Sequence, residues 1–202
     1  IEKRLGFDHA KELWKLGLEA VKETTKLISE FNIQCALQKG VIFAGFSEQN
    51  RENFHFEIEH MQKYYNFDGY KFLDKQTINE EINTDIYNSG LLNNYNYHLN
   101  PLKLLLGLAN ELVKLKVKIY ENTPVTEILN DHNGIKIYSE SKIIKAKKVI
   151  VCCNGYLDKL LGNIKNKFMP INNYMIATEP LGEEKAREII KNNYAVSDTR
   201  FI

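Results

Sequence analysis

Few residues of this chain have types and spacing suited to chemistry, and their arrangement excludes most catalytic designs. Five histidines stand at positions 9, 55, 60, 98 and 132. His55 and His60 are five apart in a helix-like segment, which is not a metal-ligand spacing, and both read as surface residues. There is no Ser-His-Asp order, no carboxylate pair and no Walker-type loop. What stands out is the run Val149-Ile150-Val151-Cys152-Cys153-Asn154-Gly155-Tyr156. An unbroken apolar strand is buried on both faces, as central parallel strands are. The C-terminal end of such a strand is where open α/β sheets bind ligands. Small residues there let a ligand approach the backbone, so the expected chemistry is binding by main-chain groups rather than acid–base work by side chains.

The elements that must position this strand end are legible from periodicity. Leu13, Trp14, Gly17, Leu18, Val21, Ile28 and Phe31 recur at three- and four-residue spacing, which predicts an amphipathic helix over residues 9–31 with Trp14 as a core anchor. A strand pair is expected at 35–37 and 40–46, and a helix at 48–65. A short helix is expected at 75–82, with Asp74 as its N-cap. Strand-like segments at 90–92 and 97–99 flank the polar Asn93-Asn94. Pro101 pre-sets the first turn of a helix running to about residue 116. On that helix Leu102, Leu105, Leu106, Ala109, Leu112, Val113 and Leu115 are expected to form a broad buried face. Strands follow at 117–120, 125–129 and 135–138, the last two joined by Asn133-Gly134, a two-residue hairpin signal. Residues 149–153 form the central parallel strand, 170–180 a further strand and 183–191 a short helix. No repeat, low-complexity tract or flexible linker interrupts this order.

The segment 100–156 resembles the second half of the flavin-binding domain in the D-amino-acid oxidase superfamily, the group that includes glycine and sarcosine oxidases. The residues that carry the likeness are Thr123-Pro124-Val125-Thr126-Glu127-Ile128 and Cys152-Cys153-Asn154-Gly155-Tyr156. Further out, Leu13-Trp14-Lys15-Leu16, Gly90-Leu91-Leu92, His98-Leu99-Asn100-Pro101-Leu102-Lys103, Ile176-Ala177-Thr178-Glu179-Pro180-Leu181 and Asp198-Thr199-Arg200-Phe201 are similar to the branch of gamma-glutamylputrescine oxidoreductases. The likeness spans nearly the whole chain and rests on order and spacing rather than on one diagnostic motif.

The resemblance implies a mixed α/β (α+β) fold: part of a Rossmann-like FAD-binding domain plus a mixed-sheet substrate domain. Residues 1–34 would be a helix of the FAD-domain region, 35–99 and 169–202 the two parts of the substrate domain, and 100–168 the FAD-binding part. It implies FAD as cofactor, with Val125 offering backbone groups to the adenine, and Cys153, Asn154, Gly155 and Tyr156 forming the close-approach turn. Asn154 stands where relatives carry glycine, and Tyr156 where they carry tryptophan; asparagine tolerates the left-handed conformation better than other non-glycine residues. His98, Tyr174 and Arg200 are the candidate substrate contacts. The guanidinium fork of Arg200 suits a carboxylate, and a structural ion pair is the competing reading. The implied activity is oxidation of the C–N bond of an amine or amino acid, with the catalytic residues left open. Alternatives are a D-amino-acid dehydrogenase, a glycine or sarcosine oxidase, or a truncated binding module without flavin.

Composition sets limits. The formal charge of +1 over 202 residues gives no electrostatic case for nucleic acid or an anionic membrane. The longest apolar run, 104–109, is far shorter than the roughly 20 residues a bilayer span needs. The partner that the resemblance implies is a small-molecule amine or amino acid; the oligomeric state is left open. Three cysteines, two of them adjacent, do not make a disulfide framework. They read as small apolar side chains, with reduced thiols and a cytoplasmic location as the default. Eleven glycines include no Gly-x-Gly-x-x-Gly, and the chain does not begin with Met. The expectation is a fragment that lacks the pyrophosphate loop.

Overall fold

The computed structural model describes residues 1–131, 134–157, 160–162, 167, 169 and 171–200. Two compact units divide the chain: residues 1–116 together with 178–202, and residues 117–177.

The larger unit is built on a four-stranded mixed sheet. Its strands are β1 (Gln38–Gly45), β2 (Tyr70–Leu73), β3 (Ser89–His98) and, from the returning end of the chain, β7 (Ala195–Asp198). The spatial order is β2-β3-β1-β7, with β7 parallel to β1 and the other pairs antiparallel. Ile42 and Ala44 of β1 project to one face and are fully buried. They join Leu73, Leu92 and Tyr87 beneath Ile78 of helix α4 (Lys75–Ile82). Helix α3 (Glu48–Tyr65) covers part of the other face, its His55 ring stacked on Phe72 at 4.0 Å. Its start is set by Ser47, whose hydroxyl accepts from the Asn50 N–H while Asn50 Oδ1 accepts from the Ser47 N–H, a reciprocal cap that satisfies two orphan donors. Asp74 caps α4 in the expected way, accepting from the Thr77 N–H at 2.8 Å.

The long helix α2 (Phe7–Glu30) follows the one-turn α1 (Glu2–Leu5) and meets α5 (Pro101–Lys114) at its C-terminal end. Ile28, Ile33 and Cys35 form the buried seam, with Leu104 and Leu108 of α5 packed against it. A Cβ on Gly107 would lie 2.3 Å from Ile33 Cγ2, so this close helix approach needs glycine. That seam ties α5 to the larger unit.

Several expectations are corrected. Residues 35–37 are not a strand; Ala36 takes φ 53° and β1 begins at Gln38. The segments 90–92 and 97–99 are one strand, because Asn93 Oδ1 accepts the N–H groups of Tyr95 and Asn96 and carries β3 through the polar pair. On α5 the face expected to be buried is open: Leu102, Leu105, Leu106, Leu112, Val113 and Leu115 are exposed and Ala109 is half-buried. The seam to α2 uses the neighbouring stripe, and nothing among the described residues covers the rest.

The smaller unit holds a three-stranded antiparallel sheet in the order β4 (Val125–Asp131), β5 (Gly134–Ser139), β6 (Ile143–Ala146). Gly134 takes φ 112°, as the hairpin signal requires, while Asn133 lies outside the described residues. The strand β6 was not expected. The expected strands at 117–120, 149–153 and 170–180 are absent; position 170 itself is outside the described residues. A parallel strand needs hydrogen-bonding neighbours, and residues 149–153 have none among the described residues; Ile150 is 88% exposed. The returning strand of the larger unit's sheet is β7, which pairs with β1. The short helix near 183 is α6 (Glu183–Ile189). Among the described residues no helix is long and apolar enough to cross a membrane.

Candidate functional site

The expected cofactor residues all fall in the smaller unit. Val125 opens β4, where it pairs with Ser139 across an irregularity in register before Glu127. Because β4 is an edge strand, half of its N–H and C=O groups face away from β5. Such unpaired main-chain groups are what a purine edge could engage without any particular side chain. Cys153 is half-buried and precedes a single 3-10 turn, Asn154–Tyr156, closed by the Tyr156 N–H donating to the Cys153 carbonyl at 3.0 Å. Asn154 sits at φ 48°, in the left-handed region. A Cβ on Gly155 would meet nothing within 4 Å, and Tyr156 is 94% exposed. The turn therefore offers bare backbone to a ligand. Among the described residues no hydrogen bond joins it to Val125.

Of the expected substrate residues, His98 and Arg200 are not brought together. His98 Nε2 hydrogen-bonds the Asn193 carbonyl at 2.7 Å. Arg200 is committed to Asp198 through Nε and Nη2, and its guanidinium lies 4.6 Å from the Phe46 ring centre. Those hydrogen bonds hold the Asp198 carboxyl below its usual range and push the Arg200 guanidinium up. In register, His98 lies opposite Gln38 and Asp198 opposite Ala44, so the two ends of β1 separate them. Six residues of strand are roughly 20 Å, more than a small amine or amino acid spans. Tyr174 belongs to the smaller unit and is 91% exposed.

A third group of residues escaped the sequence reading. In the larger unit a cleft of about 800 Å³ is lined by Glu2, Trp14, Tyr65, Phe67, Tyr95 and others. Glu2 Oε1 accepts from the Tyr65 hydroxyl at 2.5 Å and meets His60 Nε2 at 2.8 Å. Those two hydrogen bonds, Tyr65 first, hold the Glu2 carboxyl below its usual range. Desolvation, and next the hydrogen bond to Glu2, push the Tyr65 phenol up to about 12. His60 is thus a half-buried partner rather than a surface residue. Trp14 anchors the wall, edge-on to Tyr65 and Phe67 at 5.8 and 5.0 Å. Its indole N–H is buried and finds no acceptor among the described residues, an arrangement that costs about 1–3 kcal/mol. The contact between Glu2 and residues 58 and 63 positions later leaves no trace in local periodicity.

Comparison with known proteins bears on these observations. The chain is 28% identical over 204 residues to a probable oxidoreductase OrdL of Haemophilus influenzae, covering 99% of this chain and 47% of that protein. It is 29% identical over 203 residues to the gamma-glutamylputrescine oxidoreductase of Escherichia coli, covering 100% of this chain and 47% of that one. The chain thus spans about half the length of the curated relatives it matches. Among solved structures, glycine oxidase from Bacillus cereus superposes with a TM-score of 0.66 at 19% identity, covering 76% of this chain and 44% of that one. An L-amino acid deaminase from Proteus vulgaris gives 0.63 at 16% identity, covering 76% and 42%. Both likenesses concern the fold. The model of the DAO family, described as FAD dependent oxidoreductase, matches residues 4–202, and the chain belongs to that family.

Proposed function

We propose that the protein of which this chain forms part is an FAD-dependent oxidoreductase that oxidises the C–N bond of an amine or amino acid. The imine product would hydrolyse in water, and the electrons would pass to oxygen or another acceptor. Bound flavin would supply the hydride acceptor. The observation that carries the reading is the turn at Asn154: a left-handed residue followed by a glycine with open space, in the stretch for which the resemblance implies a close approach of the cofactor. Asn154, Gly155 and Cys153 would let the dinucleotide lie against the backbone, Tyr156 would cover it, and the free edge of β4 at Val125 would meet the adenine. The pyrophosphate has no glycine loop to receive it in these residues. That group would be held by a part of the protein outside this chain, and the open leucine face of α5 is the surface such a part would cover.

The finer reading is a gamma-glutamylputrescine-like amine as substrate, in keeping with the 29% identity to that enzyme. Arg200 or Tyr174 would contact it. His98, tied to Asn193, would act by fixing the sheet end rather than by touching substrate. The three free cysteines accord with a reducing, cytoplasmic setting. The likeness in fold to glycine oxidase favours an amino-acid oxidase as the second reading.

Purification of the full-length protein tests the proposal. It should be yellow, with flavin absorbance that co-elutes, and gamma-glutamylputrescine should bleach that absorbance without air faster than glycine, sarcosine or D-alanine do. Bleaching by the amino acids alone would move the assignment to the second reading. A colourless protein that does not take up added FAD would end the oxidoreductase reading. The 202-residue chain alone is expected to hold FAD weakly, since the pyrophosphate loop is missing from it.

A further inference from the structure

The formal charge of +1 hides an uneven division. The smaller unit, residues 117–177, carries nine lysines against five aspartate and glutamate residues, and the larger unit holds the acidic excess. Four of the nine fall close together, at Lys142, Lys145, Lys147 and Lys148, and all four are exposed. No acidic residue stands between Glu140 and Asp158.

Strand register sorts the sheet β4-β5-β6 into two faces, because side chains alternate along a strand and directly opposed residues share a side. One face carries the row Ile128–Ile137–Ile144, with Ile135 opposite Ala146 beside it. Such an apolar face is the one a layered fold packs inward. The opposite face carries the rows Leu129–Lys136–Lys145 and Glu127–Tyr138–Ile143. There Ile143 is 61% exposed and Leu129 43%. Two lysines opposed in register is a pairing that sheet stability by itself disfavours. Glu127 lies on β4, across the sheet from the lysine of β6. Next to this face, Lys142 Nζ lies 4.9 Å from the ring centre of the exposed Tyr120.

We propose that this outer face, with Lys147 and Lys148 beside it, docks the protein on the surface of an anionic phospholipid bilayer. The ammonium groups meet lipid phosphates, while Ile143 and Leu129 enter the headgroup boundary and the Tyr120 ring sits at that level. A polyanion such as nucleic acid would use the lysines alone and leave the two apolar side chains without a role. The contact is peripheral, so it needs no spanning helix, and it does not depend on the redox assignment.

Co-sedimentation of the full-length protein with phosphatidylcholine vesicles, made with and without phosphatidylglycerol, tests this. Binding should require the anionic lipid and should be released as salt is raised to about 0.5 M. Lys147→Gln/Lys148→Gln, two changes outside the strands, should weaken it about tenfold or more, and adding Lys145→Gln about fivefold further. Ile143→Ser should weaken it about fivefold without changing its salt dependence. Flavin content and circular dichroism should match the wild type in each variant; the Lys147→Gln/Lys148→Gln arm stands alone if a strand variant fails to fold. Equal binding to both kinds of vesicle, or binding to neither, would overturn the proposal. So would a folded Lys147→Gln/Lys148→Gln variant that binds as the wild type does. A folded Ile143→Ser variant with unchanged affinity would assign the lysines to a polyanion and overturn the bilayer as occupant.

Discussion

Arg200 turns back onto Asp198, its Nε and Nη2 both donating to the same carboxylate oxygen, Oδ2, at 2.9 and 2.6 Å. The guanidinium is nevertheless largely solvent-exposed, at 62% for its side chain. Asp198 therefore orients the fork while leaving the rest of it open to an anion. Replacing Arg200 by Gln should raise KM for a carboxylate-bearing substrate about tenfold, the scale of a charged hydrogen bond, with kcat within about threefold. Steady-state kinetics with a substrate and its amide analogue makes the check. An unchanged ratio of the two KM values would leave Arg200 as a structural partner of Asp198 and Phe46.

Asn154 at φ 48° sets the second prediction. Glycine accepts this conformation freely, whereas a β-branched residue resists it. Asn154→Gly should keep the flavin, and Asn154→Val should lose it while retaining most of the circular dichroism signal. The flavin-to-protein absorbance ratio of the purified variants decides. Equal ratios would remove this turn from the cofactor site.

Gly40 and Tyr194 tie the returning end of the chain to β1. Gly40 takes φ 108° at the register shift between Lys39 and Val41. A Cβ there would lie 2.2 Å from Tyr194 Cδ1. Gly40→Ala is expected to cost at least about 2 kcal/mol from backbone strain and ring displacement together. Denaturant unfolding would measure it. Tyr194→Ala in the same background should recover part of the loss, because the clash is removed while the strain stays.

The core beneath β1 gives a direct stability test. Ile78 is fully buried against Ile42, Ala44 and Leu92. Ile78→Ala should cost about 2–5 kcal/mol, the transfer term plus the cavity. A loss below 1 kcal/mol would mean that α4 collapses onto the sheet to fill the void.

The pair Glu2–Tyr65 predicts a pH window. The Glu2 carboxyl is held below its ordinary value of 4.5, so its contribution to stability is present above that value and is lost as pH falls through the depressed one. The Tyr65 phenol is pushed from 10.0 up to about 12, so its contribution is full below pH 10.0 and is lost as pH rises towards about 12. The Tm profile should have a shoulder at each end. Tyr65→Phe should flatten the alkaline shoulder; an identical alkaline slope in that variant would place the titration elsewhere.

Local physics alone determined much of this protein. The 3.6-residue periodicity of Trp14, Leu18 and Val21, the cap at Asp74, and Pro101 placed three helices to within a few residues, and the helix expected at 48–65 is α3. Gly134 marked a hairpin, and asparagine at position 154 marked a left-handed turn. These signals act over a few residues and are written in neighbouring side chains. Strand pairing is not local. The apolar run at 149–153 has strand character but among the described residues no neighbour to bond, while Ala195–Asp198 pairs with β1 from more than 150 residues away. Tertiary structure likewise decided that His98 and Arg200 lie at opposite ends of one strand, that α5 uses Leu104 and Leu108 rather than Leu105 and Leu112, and that Glu2 meets Tyr65 beside Trp14. Each depends on which surfaces meet across long separations, where loop closure and packing select among partners that local propensity leaves equivalent.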